Sequence, residues 1–166
     1  MNVLLTGSNG QLGDALINSK PDSINLIQTN RENLDLSSEK DCHETVIKYR
    51  PDWVINSGAY TAVDKAEQES TLAMSINANA PKAFAKALKI TGGKILQIST
   101  DFVFNGEQNF PYKSNQTRNP INTYGITKAL GEKAIEEYLK DSQQGVILRT
   151  SWLMGPIGKN FLRTML

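Results

Sequence analysis

Tyr124 and Lys128 are the two residues of this sequence whose chemistry and spacing point most directly to a reaction. They lie four residues apart at the start of the most strongly predicted helix, Thr123–Lys140, so both side chains project from one helix face. A phenol has a pKa of about 10, and a neighbouring ammonium group favours the phenolate and lowers that pKa. We therefore predict that Tyr124 transfers a proton to a carbonyl oxygen, although the same pair also occurs by chance on solvated helices.

Thr100 directly follows a predicted strand, Lys94–Ser99. Open α/β sheets hold their ligands at the carboxyl edges of their strands, which is where this hydroxyl lies. Thr100 can hydrogen-bond the same carbonyl oxygen as Tyr124 and orient it. A threonine at a strand end is common, so the prediction depends on the combination with Tyr124 and Lys128.

A glycine-rich turn follows the first predicted strand, Asn2–Thr6, and has the spacing G-x-x-G-x-x-G of a dinucleotide-binding turn. Its first glycine permits a tight turn, its second the approach of a pyrophosphate, and its third the packing of the next helix. The N–H groups at that helix N-terminus favour phosphates. The predicted cofactor-binding residues here are Gly7, Asn9, Gly10, Gln11, Leu12 and Gly13. Lys128 and Tyr124 would border the nicotinamide ribose.

The end of the second predicted strand, Ile24–Gln28, indicates which dinucleotide binds. A carboxylate here would bind the ribose 2′-hydroxyl of NAD, whereas an arginine suits the 2′-phosphate of NADP. The sequence has Arg31 at this place, with Glu32 next to it. We therefore predict NADPH as the preferred cofactor. Glu32 keeps NADH open, and a solvated surface charge is the other interpretation of Arg31.

The predicted elements alternate between short apolar strands and longer helices. Such strands imply a parallel sheet with helices on both faces, that is, a Rossmann-type doubly wound α/β domain over residues 1–166. The remaining predicted elements are helices at Gln11–Ser19, Ser38–Tyr49, Val63–Ile76 and Ala80–Ile90, strands at Trp53–Asn56 and Gly145–Arg149, and a loop at Thr100–Pro120. The helical pattern at Asn160–Leu166 lacks a C-cap, which predicts truncation before a substrate-binding part.

Bulk properties argue against several other classes of protein. The 166 residues include 18 basic and 17 acidic side chains, which gives no electrostatic reason to expect nucleic acid or an anionic membrane as partner. No stretch approaches the roughly 18 apolar residues of a membrane span, and no basic secretory signal is found. Cys42 and His43 are single residues of their kind, so no metal site is predicted. These properties predict a cytoplasmic protein.

Six segments together resemble the extended short-chain dehydrogenase/reductase family and, within it, the dTDP-4-dehydrorhamnose reductases. They are TGSNGQLG (6–13), NSGAYTAVDKAE (56–67), INAN (76–79), STDFVFNG (99–106), NTYGITKALGE (122–132) and RTSWL (149–153). The resemblance runs over the whole of residues 1–166. It implies reduction of the C4 ketone of dTDP-4-dehydro-L-rhamnose by NADPH, a step of nucleotide-sugar and cell-surface polysaccharide biosynthesis.

The resemblance also implies roles for individual residues. The implied catalytic residues are Thr100, Tyr124 and Lys128. The residues implied to line the cofactor are Ala59, Tyr60 and Asn77, and those implied to contact the substrate are Asp101, Phe102 and Trp152. A turn-forming Asp101 and a core Trp152 are the alternatives. Asp64 and Glu67 would shape the cofactor side of the site or support the fold.

Two other functions remain open on the same scaffold. One is a sugar-nucleotide epimerase or dehydratase, although dehydratases commonly carry Asp-Glu after the threonine and Thr100 is followed here by Asp101 and Phe102. The other is a non-catalytic protein similar to the regulatory subunit of methionine adenosyltransferase. The sequence leaves open a homodimer and a role for Mg²⁺. Because chains of the resembling family are longer, we expect residues 1–166 to bind cofactor but to turn over substrate weakly.

Overall fold

A computed structural model describes residues 1–140, 142–156, 158 and 160–165, and within them the strands form one parallel sheet. The strands are β1 (Asn2–Thr6), β2 (Asn25–Gln28), β3 (Trp53–Asn56), β4 (Lys94–Thr100) and β5 (Gly145–Thr150). They lie in the order β2-β1-β3-β4-β5. The predicted Rossmann-type α/β fold is confirmed.

The helices agree with the predicted ones except in one region. They are α1 (Gln11–Ser19), α2 (Glu39–Tyr49), α3 (Val63–Ala66), α4 (Ser70–Met74), α5 (Ala80–Thr91), α6 (Thr123–Leu139) and α7 (Phe161–Met165), with a π-helical turn at Ser75–Asn79 and a 3₁₀ turn at Asp101–Val103. The prediction of one helix over Val63–Ile76 is wrong, because the chain turns between α3 and α4 where the Glu67 and Glu69 carboxylates bond to other segments.

The last described segment of the chain is helical. The predicted helix Asn160–Leu166 appears as α7, and Leu166 lies outside the described residues. Among the described residues, no helix has the length and apolar character needed to cross a membrane.

The apolar core lies between the sheet and helices α2, α5 and α6. Leu4, Val54 and Ile95, from three neighbouring strands, are all 0% exposed and belong to one cluster with Phe84 of α5 and Ile135 of α6. Each such side chain stabilises the fold by about 1.5–3 kcal/mol when it is removed from water. The burial of the inner face of α6 fixes its first turn relative to the sheet.

The direction of the strand order changes beside β1. The chain passes from β1 through α1 to the edge strand β2, and then returns through α2 to β3 on the other side of β1. Because such crossovers are right-handed, α1 and α2 lie on opposite faces of the sheet. The carboxyl ends of β1 and β3 therefore border a crevice of the kind in which open α/β sheets bind ligands.

Candidate active site

The glycine turn after β1 forms a cradle for phosphate. Gly7 has a φ of +65°, and its carbonyl accepts a hydrogen bond from Gly10 N at 2.9 Å. Gly10 is the N-cap residue of α1, and no side chain caps this helix. The first N–H groups of α1 therefore lack intrahelical partners, and they lie at the positive end of the helix dipole. This arrangement fits the pyrophosphate of a dinucleotide.

Two of the glycines are required by close packing, and one keeps the front of the turn open. A Cβ on Gly13 would overlap the Gly7 carbonyl oxygen and lie 2.7 Å from Ser8 Cα. A Cβ on Gly7 would lie 2.8 Å from the backbone of Gly58. A Cβ on Gly10 would meet only the Gly7 carbonyl oxygen among the described atoms, at 3.1 Å. The space in front of Gly10 is therefore available to a ligand.

Gly13→Ala and Gly10→Ala should separate folding from cofactor binding. We expect Gly13→Ala to destabilise the fold by about 2–3 kcal/mol, because its Cβ overlaps backbone atoms. Gly10 has a φ of −85°, which alanine also adopts, so Gly10→Ala should keep the stability of the fold. Its methyl group should nevertheless weaken NADPH binding about ten-fold or more. Thermal unfolding and NADPH titration measure the two effects, and equal destabilisation by both variants would contradict this division.

A ladder of buried side-chain hydrogen bonds across three strands lies next to the glycine turn, and sequence analysis did not predict it. Thr6 Oγ1 donates to Asn56 Oδ1 at 2.6 Å, and Asn56 Nδ2 donates to Gln97 Oε1 at 2.7 Å, so the ladder crosses β1, β3 and β4. Thr6 Oγ1 also accepts from Gly58 N at 3.0 Å. These hydrogen bonds therefore hold the carboxyl ends of β1 and β3 together next to the glycine turn.

A backbone hydrogen bond also holds the side of the glycine turn that lies next to β2. Ser8 N donates to the Thr29 carbonyl at 2.9 Å, which joins the turn to the end of β2. Arg31 is exposed two residues later, as the predicted contact with a 2′-phosphate requires. Asn9 is exposed at the tip of the turn, and Leu12 is half-buried in α1. The predicted cofactor-binding residues of this region thus lie at one edge of the sheet.

Thr100 and Tyr124 meet at the carboxyl end of β4. The Tyr124 hydroxyl lies beside Thr100, whose Oγ1 accepts from Phe102 N at 3.2 Å and donates to Asp101 Oδ1 at 3.0 Å. The Phe102 ring contacts the Tyr124 ring edge-on, with 5.6 Å between centroids. The exposed side chains of Asp101 and Phe102 therefore border the phenol, where the substrate-contacting residues were predicted.

The pKa of Tyr124 differs from the prediction. Burial raises the pKa of this phenol more than the neighbouring Thr100 hydroxyl lowers it, and the Asp101 carboxylate raises it further. The expectation that Lys128 lowers the pKa of Tyr124 is therefore wrong for this conformation. The phenol is protonated at neutral pH, which is the state that a proton donor requires.

Lys128 lies one helical turn after Tyr124 and is only 4% exposed. Its Nζ donates to the Ile98 carbonyl of β4 at 2.7 Å. Burial lowers the pKa of Lys128 to about 8, although the Glu132 carboxylate acts in the opposite direction. The ammonium form is therefore retained near neutral pH, but it bonds to the sheet rather than to the phenol.

A buried ion-pair cluster follows Lys128 on α6, and sequence analysis missed it. Glu132 is 0% exposed and accepts hydrogen bonds from Arg149 Nη2 of β5 at 2.7 Å and from Arg118 Nε. Burial opposes the ionisation of Glu132, but its bonds to Arg149 and Arg118 outweigh burial and lower its pKa. The only sequence signal was the spacing of four residues from Lys128. Nowhere in the described ranges do three or more His, Cys, Asp or Glu side chains form a group that could hold a metal ion.

Asn77 holds the loop that was predicted to line the cofactor. Its Oδ1 accepts from Tyr60 N at 2.9 Å, and its Nδ2 donates to the Tyr60 carbonyl at 3.0 Å and to Thr127 Oγ1 at 3.2 Å. Asn77 is 2% exposed and fixes the backbone of Tyr60, and its own contact with the cofactor stays a prediction. Ala59 and Tyr60 remain half-exposed and available for contact.

Glu67 fixes the start of α6. Its carboxylate accepts from Thr123 N at 2.8 Å and from Thr123 Oγ1 at 2.6 Å, and these two bonds lower the pKa of Glu67. Asn122, the N-cap of α6, accepts from Gly125 N at 2.7 Å. Both bonds hold the turn that carries Tyr124, so the fold-supporting interpretation of Glu67 is the one that these contacts favour. Asp64 is exposed on α3.

Trp152 lies just beyond β5 and is 64% exposed, so the alternative of a core tryptophan is wrong. Its φ is +56°, which is rare for a residue other than glycine. The ring packs on Phe161 with 4.6 Å between centroids and an angle of 54°. An exposed indole on the strand-end side of the sheet is available to a ligand.

The fold and the glycine turn define a dinucleotide-binding domain of the Rossmann type. The model of the RmlD substrate binding domain family matches residues 1–166, and the chain belongs to this family. The dTDP-4-dehydrorhamnose reductase of Salmonella typhimurium is 42% identical over 170 residues, which cover 100% of this chain and 56% of the relative. The chain thus spans little more than half the length of the curated relatives that it matches.

Solved structures agree with this assignment. The crystal structure of dTDP-4-dehydrorhamnose reductase from Bacillus anthracis in complex with NADP has a TM-score of 0.92 and 38% identity, covering 99% of this chain and 58% of that one. UDP-glucose 4-epimerase from Thermus thermophilus in complex with NAD has a TM-score of 0.75, covers 96% of this chain and 59% of that one, and is only 19% identical. The epimerase therefore shares the fold alone.

Proposed function

We propose that this chain is the cofactor-binding part of an NADPH-dependent dTDP-4-dehydrorhamnose reductase, which converts dTDP-4-dehydro-L-rhamnose to dTDP-L-rhamnose. The observation that carries the proposal is the position of the half-buried Tyr124 phenol beside Thr100, at the sheet edge that also bears the glycine turn. The 42% identity to a dTDP-4-dehydrorhamnose reductase favours this activity over the epimerase, dehydratase and non-catalytic alternatives. The proposal places the protein in the cytoplasm, in the synthesis of nucleotide sugars for polysaccharide. A homodimer and a role for Mg²⁺ are compatible with this proposal and are not part of it.

The described residues divide the reaction among them. When bound, the nicotinamide supplies the hydride for the ketone carbon. Tyr124, kept protonated by burial, gives its proton to the C4 carbonyl oxygen, and Thr100 orients that oxygen. Lys128, whose buried ammonium group bonds to the Ile98 carbonyl, would hold the nicotinamide ribose when the cofactor is bound. Asp101, Phe102 and Trp152 border the sugar in this proposal.

Arg31 selects the phosphorylated cofactor in this proposal. We expect Arg31→Ala to raise the Michaelis constant for NADPH about ten-fold and to leave that for NADH almost unchanged, because only NADPH carries a 2′-phosphate for the guanidinium to bind. Steady-state rates with each cofactor measure both constants. Glu32→Gln is the matched control, since it changes the neighbouring exposed charge and should not weaken NADPH binding. Equal effects of Arg31→Ala on both cofactors would contradict the assignment.

A binding and turnover experiment tests the function itself. Residues 1–166 are titrated with NADPH and then mixed with dTDP-4-dehydro-L-rhamnose, and dTDP-L-rhamnose is identified as the product. We expect clear NADPH binding with weak turnover, because the chain spans 56% of its reductase relative. Full-strength turnover would contradict the expected weakness, and a chain that does not bind NADPH would overturn the proposal. Incubation with dTDP-glucose tests the dehydratase alternative through its 4-keto-6-deoxy product.

A further inference from the structure

The side chain of Gln11 joins the glycine turn to a distant part of the chain. Its Nε2 donates to the Leu153 carbonyl at 2.9 Å, and its Oε1 accepts from Asn160 Nδ2 at 2.9 Å. Gln11 is the first residue of α1 and directly follows Gly10, the N-cap of that helix. Both ends of one side-chain amide are therefore used to hold the segment that follows β5.

The described residues of that segment pack around the amide of Gln11. Asn160 is 8% exposed, and its Nδ2 also donates to the Gly155 carbonyl at 2.8 Å. Its Oδ1 accepts from Arg163 N at 3.1 Å, at the start of α7. A Cβ on Gly155 or on Gly158 would lie in ordinary van der Waals contact with the Gln11 side chain, at 3.9 and 3.5 Å. The contact is therefore a packed junction rather than a single surface hydrogen bond.

The position of Trp152 is set by two residues that lie at this junction, Leu153 and Phe161. Leu153, whose carbonyl Gln11 holds, follows Trp152 directly, and Phe161, on which the indole packs, follows Asn160 directly. A left-handed φ at a tryptophan persists only when the surrounding structure holds it. We propose that Gln11 is a positioning residue that keeps Trp152 in a fixed place relative to the glycine turn.

This inference rests on the proposed function, because it connects the cofactor cradle to the aromatic side of the sugar site. A cofactor that orders the first turn of α1 should also order the segment that carries Trp152. The two sites are then coupled through Gln11, and removal of the junction should weaken this coupling.

Hydrogen exchange of the backbone amides in residues 160–165 tests the junction without cofactor. Gln11→Glu keeps the size of the side chain and the acceptor for Asn160, but it places a carboxylate oxygen against the Leu153 carbonyl. We expect exchange to become about five-fold faster, as for the loss of one hydrogen bond. Asn160→Ala removes the junction from its other side and should act alike. Gln143→Glu, the same change in the exposed turn before β5, should leave exchange unaltered.

Trp152 and the cofactor provide the second readout. In a Trp53→Phe background, time-resolved anisotropy of Trp152 should show more local motion in Gln11→Glu, and NADP⁺ should reduce this motion only when Gln11 is present. Exchange at the wild-type rate in both junction variants would overturn the inference, as would faster exchange with unchanged motion of Trp152. A wild-type chain that does not bind NADP⁺ would instead overturn the proposed function, and the cofactor-free exchange result would decide on the junction by itself.

Discussion

Replacing Tyr124 with phenylalanine should lower the rate of ketosugar reduction by about 10³-fold, the loss expected when a general acid is removed. The substitution removes only the hydroxyl beside Thr100, while the ring can keep its edge-on contact with Phe102. We therefore expect unchanged thermal stability and an NADPH dissociation constant within about two-fold of wild type. Because residues 1–166 are expected to turn over slowly, the rate is measured in single turnovers with the chain in excess.

Tyr138→Phe is the matched control for this variant. Tyr138 lies on the same helix, half-buried against the core and far along α6 from the strand-end edge. It should keep the wild-type rate. If Tyr124→Phe retained more than about a tenth of the wild-type rate, another group would have to supply the proton, and the role of Tyr124 would be refuted.

The parts of the site that could be predicted from sequence are those that local chemistry determines. The glycine turn needs only a strand, a helix and three glycines, and the structure gives each glycine a distinct packing environment. Thr100 was found because the end of a strand in a parallel sheet lies at the ligand-binding edge. The meeting of Thr100 with Tyr124 then required only that α6 begin at this edge.

The parts that could not be predicted depend on contacts between distant segments. Sequence analysis did not reveal that the Asn77 amide holds the Tyr60 backbone. The bond from Gln11 to Leu153 joins residues separated by 142 positions and leaves no periodic pattern in the sequence. Lys128 was expected to lower the pKa of Tyr124, yet the structure gives its ammonium to the Ile98 carbonyl, which spacing on a helix cannot reveal.

Glu132 had the weakest sequence signal and should have the largest effect on stability. We expect Glu132→Gln to lower the free energy of unfolding by about 3 kcal/mol or more, because it leaves two largely buried guanidinium groups facing a neutral amide. Arg149 and Arg118 are 17% and 21% exposed, so water cannot fully solvate either of them. Urea unfolding near neutral pH measures the change.

Glu136→Gln is the matched control, and acidification tests the cause. Glu136 pairs with the same Arg118 one helical turn later but is 52% exposed, so its loss should cost at most about 1 kcal/mol.

The pKa of Glu132 is lower in the folded protein than in the unfolded chain. The stabilisation that ionised Glu132 gives to the folded protein is therefore complete above the ordinary glutamate pKa of about 4.3. It is lost as pH falls through the lower pKa that Glu132 has in the folded protein. The stability difference between wild type and Glu132→Gln should stay constant from neutral pH down to about pH 5 and shrink in stronger acid. If the stability difference between wild type and Glu132→Gln persisted in strong acid, the effect of Glu132 would come from side-chain packing rather than from its charge.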